Sequence, residues 1–364
     1  MRYNNLILTI SDYYNYGNRL QNYALRVLLD RYGLTTTIYS CIDDLSSERK
    51  KIDLLKDIIK RVYSLLFSDS KSLRYQKNRK FRNMSMRFIP DDCFMFSMKR
   101  GLISNQHDTF DTLVIGSDQV WNFKWLTKRG VALRLGSFVS NDHSVISYAA
   151  SFGVSEIDDD VKPIFQKYLP RFKAISVRED RGAELVKEMT GLDATVVLDP
   201  TLMLPMNKWL EITENFVPDD DRYILTYFLG RPSDEQERDI QAYAKAHDCH
   251  VRRIFDLRDK ETYVAGPQDF VELFSKAQYV FTDSYHACCF SILFHKQFTV
   301  FNRAGMNGKS NMNSRMETLF RLFDLDSVMI DSGLAPEIDY ERVDHLLEEN
   351  RRKSRNWLDK AMEG

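Results

Sequence analysis

Short apolar runs alternate with helical patterns along this chain, and such alternation predicts parallel sheets covered by helices. In the first half, strands are predicted at Leu6–Ile10, Thr35–Tyr39, Leu113–Ile115, Val145–Ala149, Ala174–Val177 and Thr195–Leu198. In the second half, they are predicted at Tyr223–Leu229, His250–Phe255, Tyr279–Thr282 and Phe298–Phe301. Between the halves, residues 206–221 contain Pro218 and three aspartates, which is typical of a linker.

Two Rossmann-like α/β halves joined by a linker predict the glycosyltransferase-B architecture, with a cleft between the domains. We expect an N-terminal domain over residues 1–205 and a C-terminal domain over residues 222–335. In residues 336–364, the segment from Tyr340 to Lys360 has the pattern of a charged amphipathic helix that packs back across the linker.

A basic helical insertion is expected at about residues 46–90, because an apolar stripe runs beside many lysines and arginines in residues 49–87. One interpretation is a helical pair that packs on its own domain and leaves a solvated basic face. The other is a basic amphipathic helix that makes a peripheral contact with an anionic membrane.

The composition is that of a soluble globular protein, with 364 residues, 43% hydrophobic and 28% charged. A net charge of -1 gives no general attraction to nucleic acid, so an anionic ligand must meet local cations. The sequence has neither a signal peptide pattern nor an apolar run of membrane-spanning length. Five scattered cysteines are typical of a reducing compartment, so we expect a cytoplasmic protein.

The first candidate site follows a predicted strand, in Phe281-Thr282-Asp283-Ser284-Tyr285-His286. Asp283 or Ser284 is suited to cap the next helix, and free amides at a helix start attract anions. His286 would then face a bound phosphate or carboxylate, as an imidazolium or as a proton donor. The alternative is an ordinary cap beside a satisfied histidine.

A second candidate is Arg178, where another predicted strand turns into a helix. An arginine fork matches the geometry of carboxylate and phosphate groups. Anion binding explains a cation at this helix start, and pairing with Glu179 or Asp180 explains it equally well.

The third candidate is the stretch Gly116-Ser117-Asp118-Gln119-Val120-Trp121-Asn122. Asp118 can take a proton from a hydroxyl, and Gln119 and Asn122 can hydrogen-bond other hydroxyls. Trp121 has the apolar face and polar edge that suit a sugar ring. Alternatively, Trp121 belongs to the core and Asp118 caps a helix.

Two weaker candidates are the turn containing Asn18 and Arg19, and Arg315, which follows a loop rich in glycine and asparagine. Dinucleotide and phosphate-loop glycine motifs are absent. His247, Cys249 and His250 lack a matching second ligand pair, so we predict no metal site.

Taken together, these stretches resemble the polysaccharide pyruvyltransferase family. The matching pieces, in chain order, are Asn15-Tyr16-Gly17-Asn18, Leu20–Leu25, Gly116–Asn122, Ser147–Gly153, Ser176–Glu179, Val197–Thr201, Thr282–His286 and Ser314–Thr318. They extend over roughly residues 3–325, and their order and spacing make the resemblance more specific than any single piece.

The resemblance implies a glycosyltransferase-B-like fold, phosphoenolpyruvate as donor, and pyruvate ketals on sugars of bacterial capsule or exopolysaccharide as products. It implies a C-terminal domain on the donor side and an N-terminal domain on the acceptor side, with no cofactor and a free or lipid-linked sugar as acceptor.

Specific residues take roles under this resemblance. Arg178 and His286 match positions expected to hold the donor's anionic groups, and Ser284, Tyr285 and Arg315 complete the expected donor site. His286 is the expected general acid or phosphate-stabilising group, and Asp118 the expected base. The expected acceptor residues are Asn18, Arg19, Gln119, Trp121 and Asn122.

The sequence departs from the family pattern at one position. The family often has Ser-Asp-Arg-x-His at the last of these strands, whereas Ser284 stands here in place of the arginine. Because the donor carries a phosphate and a carboxylate, the lost cation needs a replacement, and Arg315 is the candidate.

Two other functions remain open on the sequence. The same architecture serves glycosyltransferases that use nucleotide-sugars. A catalytically silent glycan-binding or assembly protein would use the basic segment 49–87 to dock on a membrane complex.

Overall fold

The fold is built on parallel sheets, as the alternating pattern predicts. The computed structural model describes residues 2–10, 14–40, 56, 58–64, 66–67, 69–89, 94–97, 101–104, 109–140, 142–302 and 313–363. Within them, the strands are β1 (Arg2–Leu8), β2 (Thr35–Thr37), β3 (Tyr39–Ser40), β4 (Phe94–Ser97), β5 (Gly101–Ser104), β6 (Thr109–Asp118), β7 (Ser144–Ala150), β8 (Ala174–Val177), β9 (Thr195–Val196), β10 (Tyr223–Tyr227), β11 (His250–Ile254), β12 (Tyr279–Thr282), β13 (Phe298–Phe301) and β14 (Met329–Ile330).

Helices separate most of these strands. Among the described residues, residues 58–64 and 66 are helical, and the other α-helices are Tyr16–Leu29, Ser70–Phe88, Lys128–Arg134, Lys162–Tyr168, Asp180–Thr190, Pro200–Met203, Met206–Leu210, Asp234–Ala246, Lys260–Tyr263, Pro267–Lys276, Tyr285–Leu293, Asn313–Phe323 and Tyr340–Met362.

The two large sheets are each wholly parallel. The first has the order β2-β1-β6-β7-β8-β9, and the second has the order β11-β10-β12-β13-β14. They form two Rossmann-like domains in a glycosyltransferase-B-like arrangement, which confirms the predicted fold class. Strand order reverses between β1 and β6 in one sheet and between β10 and β12 in the other, and ligands of open α/β sheets bind at such points.

Most predicted strands are present, and the differences have physical reasons. β8, β12 and β13 have the predicted bounds, but β6 extends beyond Leu113–Ile115 because it pairs along its length with β1 and β7. β14 and the small mixed sheet β3-β4-β5 were not predicted. β3 and β14 have two residues each, which is too short to show a periodic pattern.

An apolar core joins the two domains. Tyr16, at the start of the first helix, stacks on Phe270 of the second domain, with ring centroids 4.8 Å apart. Its hydroxyl donates to the carbonyl of Ala265 at 2.8 Å, and its ring also contacts Phe81 and Tyr227. Because these side chains are buried together, the interface between the domains is continuous with the hydrophobic core.

The basic helix Ser70–Phe88 contacts the second domain, which neither interpretation of the insertion included. The Lys77 ammonium lies 4.0 Å from the ring centroid of Phe255 and 4.6 Å from that of Tyr263. Lys80 Nζ lies 2.6 Å from a carboxylate oxygen of Asp269. Since the stem of a lysine is apolar, a basic face can pack against another domain while its charges find partners.

The C-terminal helix Tyr340–Met362 contacts both domains. Near its start, His295 lies 2.8 Å from Asp344. Farther along, the Arg351 guanidinium donates to the carbonyl oxygens of Leu202 and Leu204 at 2.6 and 2.8 Å. The helix therefore runs from the second sheet back to the end of the first.

Candidate functional site

Five charged or ionisable side chains from both domains meet between the sheets. This charged cluster consists of Asp118, Arg178, Asp199, His286 and Arg315, each at most 7% exposed. Asp118 ends β6, Arg178 follows β8, and His286 lies in the first turn of the helix that follows β12. The carboxyl ends of parallel strands are where ligands bind in such sheets.

Arg178 is at the centre of the charged cluster. Its Nη1 donates to Asp199 Oδ2 at 2.8 Å, and its Nη2 donates to Asp118 Oδ1 at 2.9 Å. Its guanidinium lies 4.4 Å from the ring centroid of Tyr285. Burial works to lower the pKa of Arg178, but the two carboxylates outweigh it and raise the pKa, so the arginine remains charged.

Asp118 is held in an uncommon backbone conformation, with φ of 66°. Its Oδ2 accepts a hydrogen bond from Asn18 Nδ2, and its Oδ1 lies 3.9 Å from Arg315 Nη1. Burial works to raise the pKa of Asp118, but nearby Arg178, His286 and Arg315 hold it below the usual value. The carboxylate is therefore ionised at neutral pH.

Asp199 is a member of the cluster that sequence reasoning did not single out. Its Oδ1 accepts from the amide and hydroxyl of Thr201, so it caps the short helix Pro200–Met203. Its Oδ2 lies 3.7 Å from His286 Nε2 in addition to the bond from Arg178. The sequence signal was an Asp-Pro-Thr turn, which a capping role alone would explain.

His286 lies tightly against the N-terminal domain. A Cβ built on Gly17 would lie 2.0 Å from His286 Nδ1, so only glycine leaves room for the ring. His286 Nε2 has no hydrogen-bond partner among the described residues. The imidazole is thus positioned by packing against Gly17 and by the Asp199 carboxylate, whose Oδ2 lies 3.7 Å from Nε2.

The helix that carries His286 begins without a side-chain cap. Ser284 is its N-cap residue, but the Ser284 side chain makes no capping hydrogen bond. The Asp283 carboxylate instead accepts from the amides of Leu229 and Gly230 at 2.6 and 2.8 Å. This links the ends of β10 and β12 at the reversal of strand order, and it leaves the first-turn amides of the helix without a cap from the Ser284 side chain.

Arg315 joins the cluster from the helix Asn313–Phe323. With its amide oxygen toward the arginine, Gln119 accepts from both terminal nitrogens of Arg315, at 2.8 and 3.2 Å. Burial and the nearby charge of Arg178 lower the pKa of Arg315 to about 10. The cation predicted to replace the missing arginine therefore lies beside the other cluster residues.

Three of the predicted acceptor residues have partners outside the charged cluster. Arg19 donates to the carbonyl of Ile10, and Asn122 caps the short turn at Phe123–Trp125. Trp121 is 1% exposed and packs on the rings of Phe152 and Phe172, so its contacts match the core alternative and its face is closed to a sugar.

The described residues contain no group of three or more His, Cys, Asp or Glu side chains arranged to hold a metal ion. Likewise, none of the described helices is both long and apolar enough to cross a membrane.

Similarity to solved structures is distant. UDP-GlcNAc 2-epimerase from Methanocaldococcus jannaschii matches with a TM-score of 0.45 and 12% identity, covering 96% of this chain and 92% of that one. S. aureus MnaA in complex with UDP gives 0.42 and 10%, with 97% coverage of each chain. Wall teichoic acid polymerase TagF gives 0.43 and 14%, covering 98% and 82%. No curated protein sequence matches.

The family comparison is more direct. A sequence model described as polysaccharide pyruvyl transferase matches residues 15–305, a range that contains Asp118, Arg178, Asp199 and His286 of the charged cluster. Because the match extends over most of the chain, this protein belongs to the polysaccharide pyruvyl transferase family.

Proposed function

We propose that this enzyme transfers pyruvate from phosphoenolpyruvate to two hydroxyls of a sugar in a bacterial surface polysaccharide precursor, forming a cyclic ketal. Membership of the family supports a transferase that acts on polysaccharide. The observation that carries the choice of donor is the charged cluster, where cations from both domains meet in a buried site.

The donor's phosphate and carboxylate need positive partners, and three are close together. Arg315 and His286 provide two, and the uncapped amides at the start of the helix Tyr285–Leu293 provide the third. Arg315 thereby supplies the charge that Ser284 lacks. A water-poor environment strengthens each of these interactions.

Arg178 would bind the donor by exchanging one of its present partners for an anionic group of the donor. In this structure both of its terminal nitrogens bind carboxylates, those of Asp118 and Asp199. An incoming anion competes with Asp118 for Arg178. When the anion binds, one carboxylate oxygen of Asp118 loses its hydrogen bond from Arg178. The freed Asp118 can then act as the base on an acceptor hydroxyl, whereas with its arginine partner in place its pKa is too low for that role.

The reaction then needs one proton delivered to carbon and one phosphate displaced. Protonation of the methylene carbon makes the adjacent carbon electrophilic, and the first sugar hydroxyl adds there as its proton passes to Asp118. A second hydroxyl displaces phosphate and closes the ketal, and its proton leaves with inorganic phosphate. His286, held in place by Asp199, is the proposed acid that protonates the methylene carbon, and it regains a proton from Asp118 before the next turnover. It also stabilises the departing phosphate.

The acceptor would approach from the N-terminal domain. Asn18 and Gln119 flank Asp118 and Arg315, and they can exchange their present hydrogen bonds for sugar hydroxyls. Exclusion of water protects the electrophilic carbon from hydrolysis. The acceptor would be a free or lipid-linked sugar of a capsule or exopolysaccharide precursor, modified in the cytoplasm.

Thermal unfolding with phosphoenolpyruvate, and separately with nucleotide diphosphates, tests the proposal, because a ligand of the folded state raises the midpoint. The variant is Arg315→Gln and its matched control is Arg321→Gln, six positions along the same helix, where Arg321 forms an exposed pair with Asp180. We expect protection by phosphoenolpyruvate that Arg315→Gln loses and Arg321→Gln keeps.

The nucleotide arm tests the alternative function. Protection by a nucleotide diphosphate and none by phosphoenolpyruvate would overturn the proposed donor in favour of a nucleotide-sugar-dependent glycosyltransferase. Product analysis with a sugar acceptor then tests the ketal, whose formation must release inorganic phosphate in equal amount.

A further inference from the structure

A helical segment of the basic insertion exposes a row of large apolar side chains. Residues 58–64 and 66 are helical. The exposed apolar face, as we call it, consists of Ile58, Ile59, Val62, Tyr63, Leu66 and Phe67, which are 37–71% exposed. Soluble proteins rarely expose so many large apolar side chains side by side without a partner for them.

The opposite side of this segment faces the protein. Ser64 is 7% exposed, and its carbonyl oxygen accepts from Ser72 Oγ and Gln76 Nε2, both at 3.2 Å. At about 100° per residue, the apolar positions 58, 59, 62, 63 and 66 fall in an arc of roughly 140° centred opposite Ser64. The packing that holds the segment therefore turns its apolar face outward.

The charge around this face is strongly positive. Lys56, Lys60 and Arg61 are exposed on the same segment. Residues 49–87 contain thirteen lysines and arginines and three aspartates, whereas the whole chain has a net charge of -1. The insertion is thus a cationic region on a protein that is otherwise acidic.

We propose that the exposed apolar face docks on the surface of a lipid bilayer that contains anionic lipids. A helix with an outward apolar arc flanked by lysine and arginine lies in the plane of a bilayer, with its apolar side among the acyl chains and its cations among anionic headgroups. A second copy of this chain is a poor occupant, because it would bring two strongly cationic regions together.

This inference goes beyond the proposed transfer reaction and does not depend on it, since docking needs neither donor nor acceptor. In this arrangement, the helix Ser70–Phe88 packs on the rest of the protein, and the exposed apolar face of the preceding segment binds the membrane. An enzyme docked in this way would act on acceptors attached to that membrane.

Sedimentation of the protein with vesicles tests the proposal, using pure phosphatidylcholine and phosphatidylcholine mixed with phosphatidylglycerol. The variants are Leu66→Asp and the double variant Lys60→Glu with Arg61→Glu. Leu334→Asp is the matched control, because Leu334 is 51% exposed and lies in the C-terminal half.

We expect binding to the anionic vesicles that exceeds binding to phosphatidylcholine by at least an order of magnitude. Leu66→Asp should weaken it at least tenfold, and each lost cation should weaken it about fivefold. Added salt should weaken it further through screening. Leu334→Asp should bind as the wild type does.

Three results would overturn the proposal: no binding to anionic vesicles, equal binding to both vesicle types, or unchanged binding by Leu66→Asp. A wild-type dimer in sedimentation velocity that Leu66→Asp converts to a monomer would assign the face to a second copy. Unchanged protection by phosphoenolpyruvate in Leu66→Asp would show that the transfer site and the docking face act independently.

Discussion

The imidazole of His286 lies directly against the backbone of Gly17, so that a Cβ on Gly17 would fall 2.0 Å from Nδ1 and 2.5 Å from Cε1. Gly17 belongs to the first helix of the N-terminal domain, and His286 begins a helix of the C-terminal domain. The position of the proposed catalytic histidine is therefore set by the close approach of two domains.

Replacing Gly17 with alanine should displace His286. We expect turnover to fall between tenfold and about a hundredfold, because a shift of about 1 Å can cost that much. Overpacking should also lower the free energy of unfolding by about 1–3 kcal/mol. Steady-state kinetics and urea unfolding measure the two effects.

Gly130→Ala is the control for that substitution. A Cβ on Gly130 would have its nearest neighbour at 3.4 Å, an ordinary contact, and this glycine lies in the helix Lys128–Arg134. Alanine there should leave turnover unchanged and stabilise the protein by up to about 1 kcal/mol. Equal turnover in Gly17→Ala and Gly130→Ala would remove the contact from the mechanism.

Arg178→Met should strongly destabilise the fold, because it leaves Asp118 and Asp199 buried without their shared cation. Breaking such a buried network by removing one partner costs about 3–5 kcal/mol. Arg321→Met breaks the exposed pair with Asp180 and should cost at most about 1 kcal/mol. Equal losses in urea unfolding would mean that Arg178 does not hold the cluster together.

The sequence could predict those residues of the site that follow the ends of strands. Asp118, Arg178 and His286 follow predicted strands, and the carboxyl ends of parallel strands meet at one edge of a sheet. Arg315 was proposed from the missing charge at Ser284, and it lies beside Asp118.

The partners of those residues could not be predicted in the same way. Gly17 and Asp199 contribute through contacts between distant parts of the chain, which a local pattern of residues does not show. Trp121 had two equal interpretations, since an indole beside a strand end suits both a core and a sugar site. Only the packing of the sheets distinguishes them.

The contacts of the basic insertion could not be predicted from the sequence either. An amphipathic pattern shows which residues share a face, but not which surface that face meets. Lys77 could not be distinguished from the solvated lysines near it, although it is buried between Phe255 and Tyr263 of the second domain.

Lys77 should give the stability of the protein a distinct pH dependence. Burial, with the like charge of Arg74, lowers the pKa of Lys77 from 10.5 to about 8. Between those two values the unfolded chain holds the proton more tightly than the folded one. The free energy of unfolding should therefore rise as the pH increases from about 8 to about 10.5.

Lys77→Met isolates this contribution, because methionine keeps an unbranched apolar stem without the charge. The difference in unfolding free energy between wild type and variant, measured by urea unfolding across that pH range, removes the contribution of other groups. We expect the difference to change in favour of the wild type as the pH rises. A constant difference would show that the Lys77 ammonium has an ordinary pKa.

The final prediction concerns the cation that Ser284 lacks. If Arg315 replaces it, Arg315→Gln should weaken phosphoenolpyruvate binding by about 10- to 150-fold, the value of one hydrogen bond to a charged group. Ser284→Arg in that background should restore part of the affinity, because position 284 begins the helix that carries His286. Ser284→Met with Arg315→Gln is the control, since methionine adds length at this buried position without charge. Unfolding midpoints across a phosphoenolpyruvate titration measure all three proteins. If the affinity for phosphoenolpyruvate recovers with arginine alone, positions 284 and 315 can supply the same charge. If it recovers equally with methionine, the substitution has only filled space.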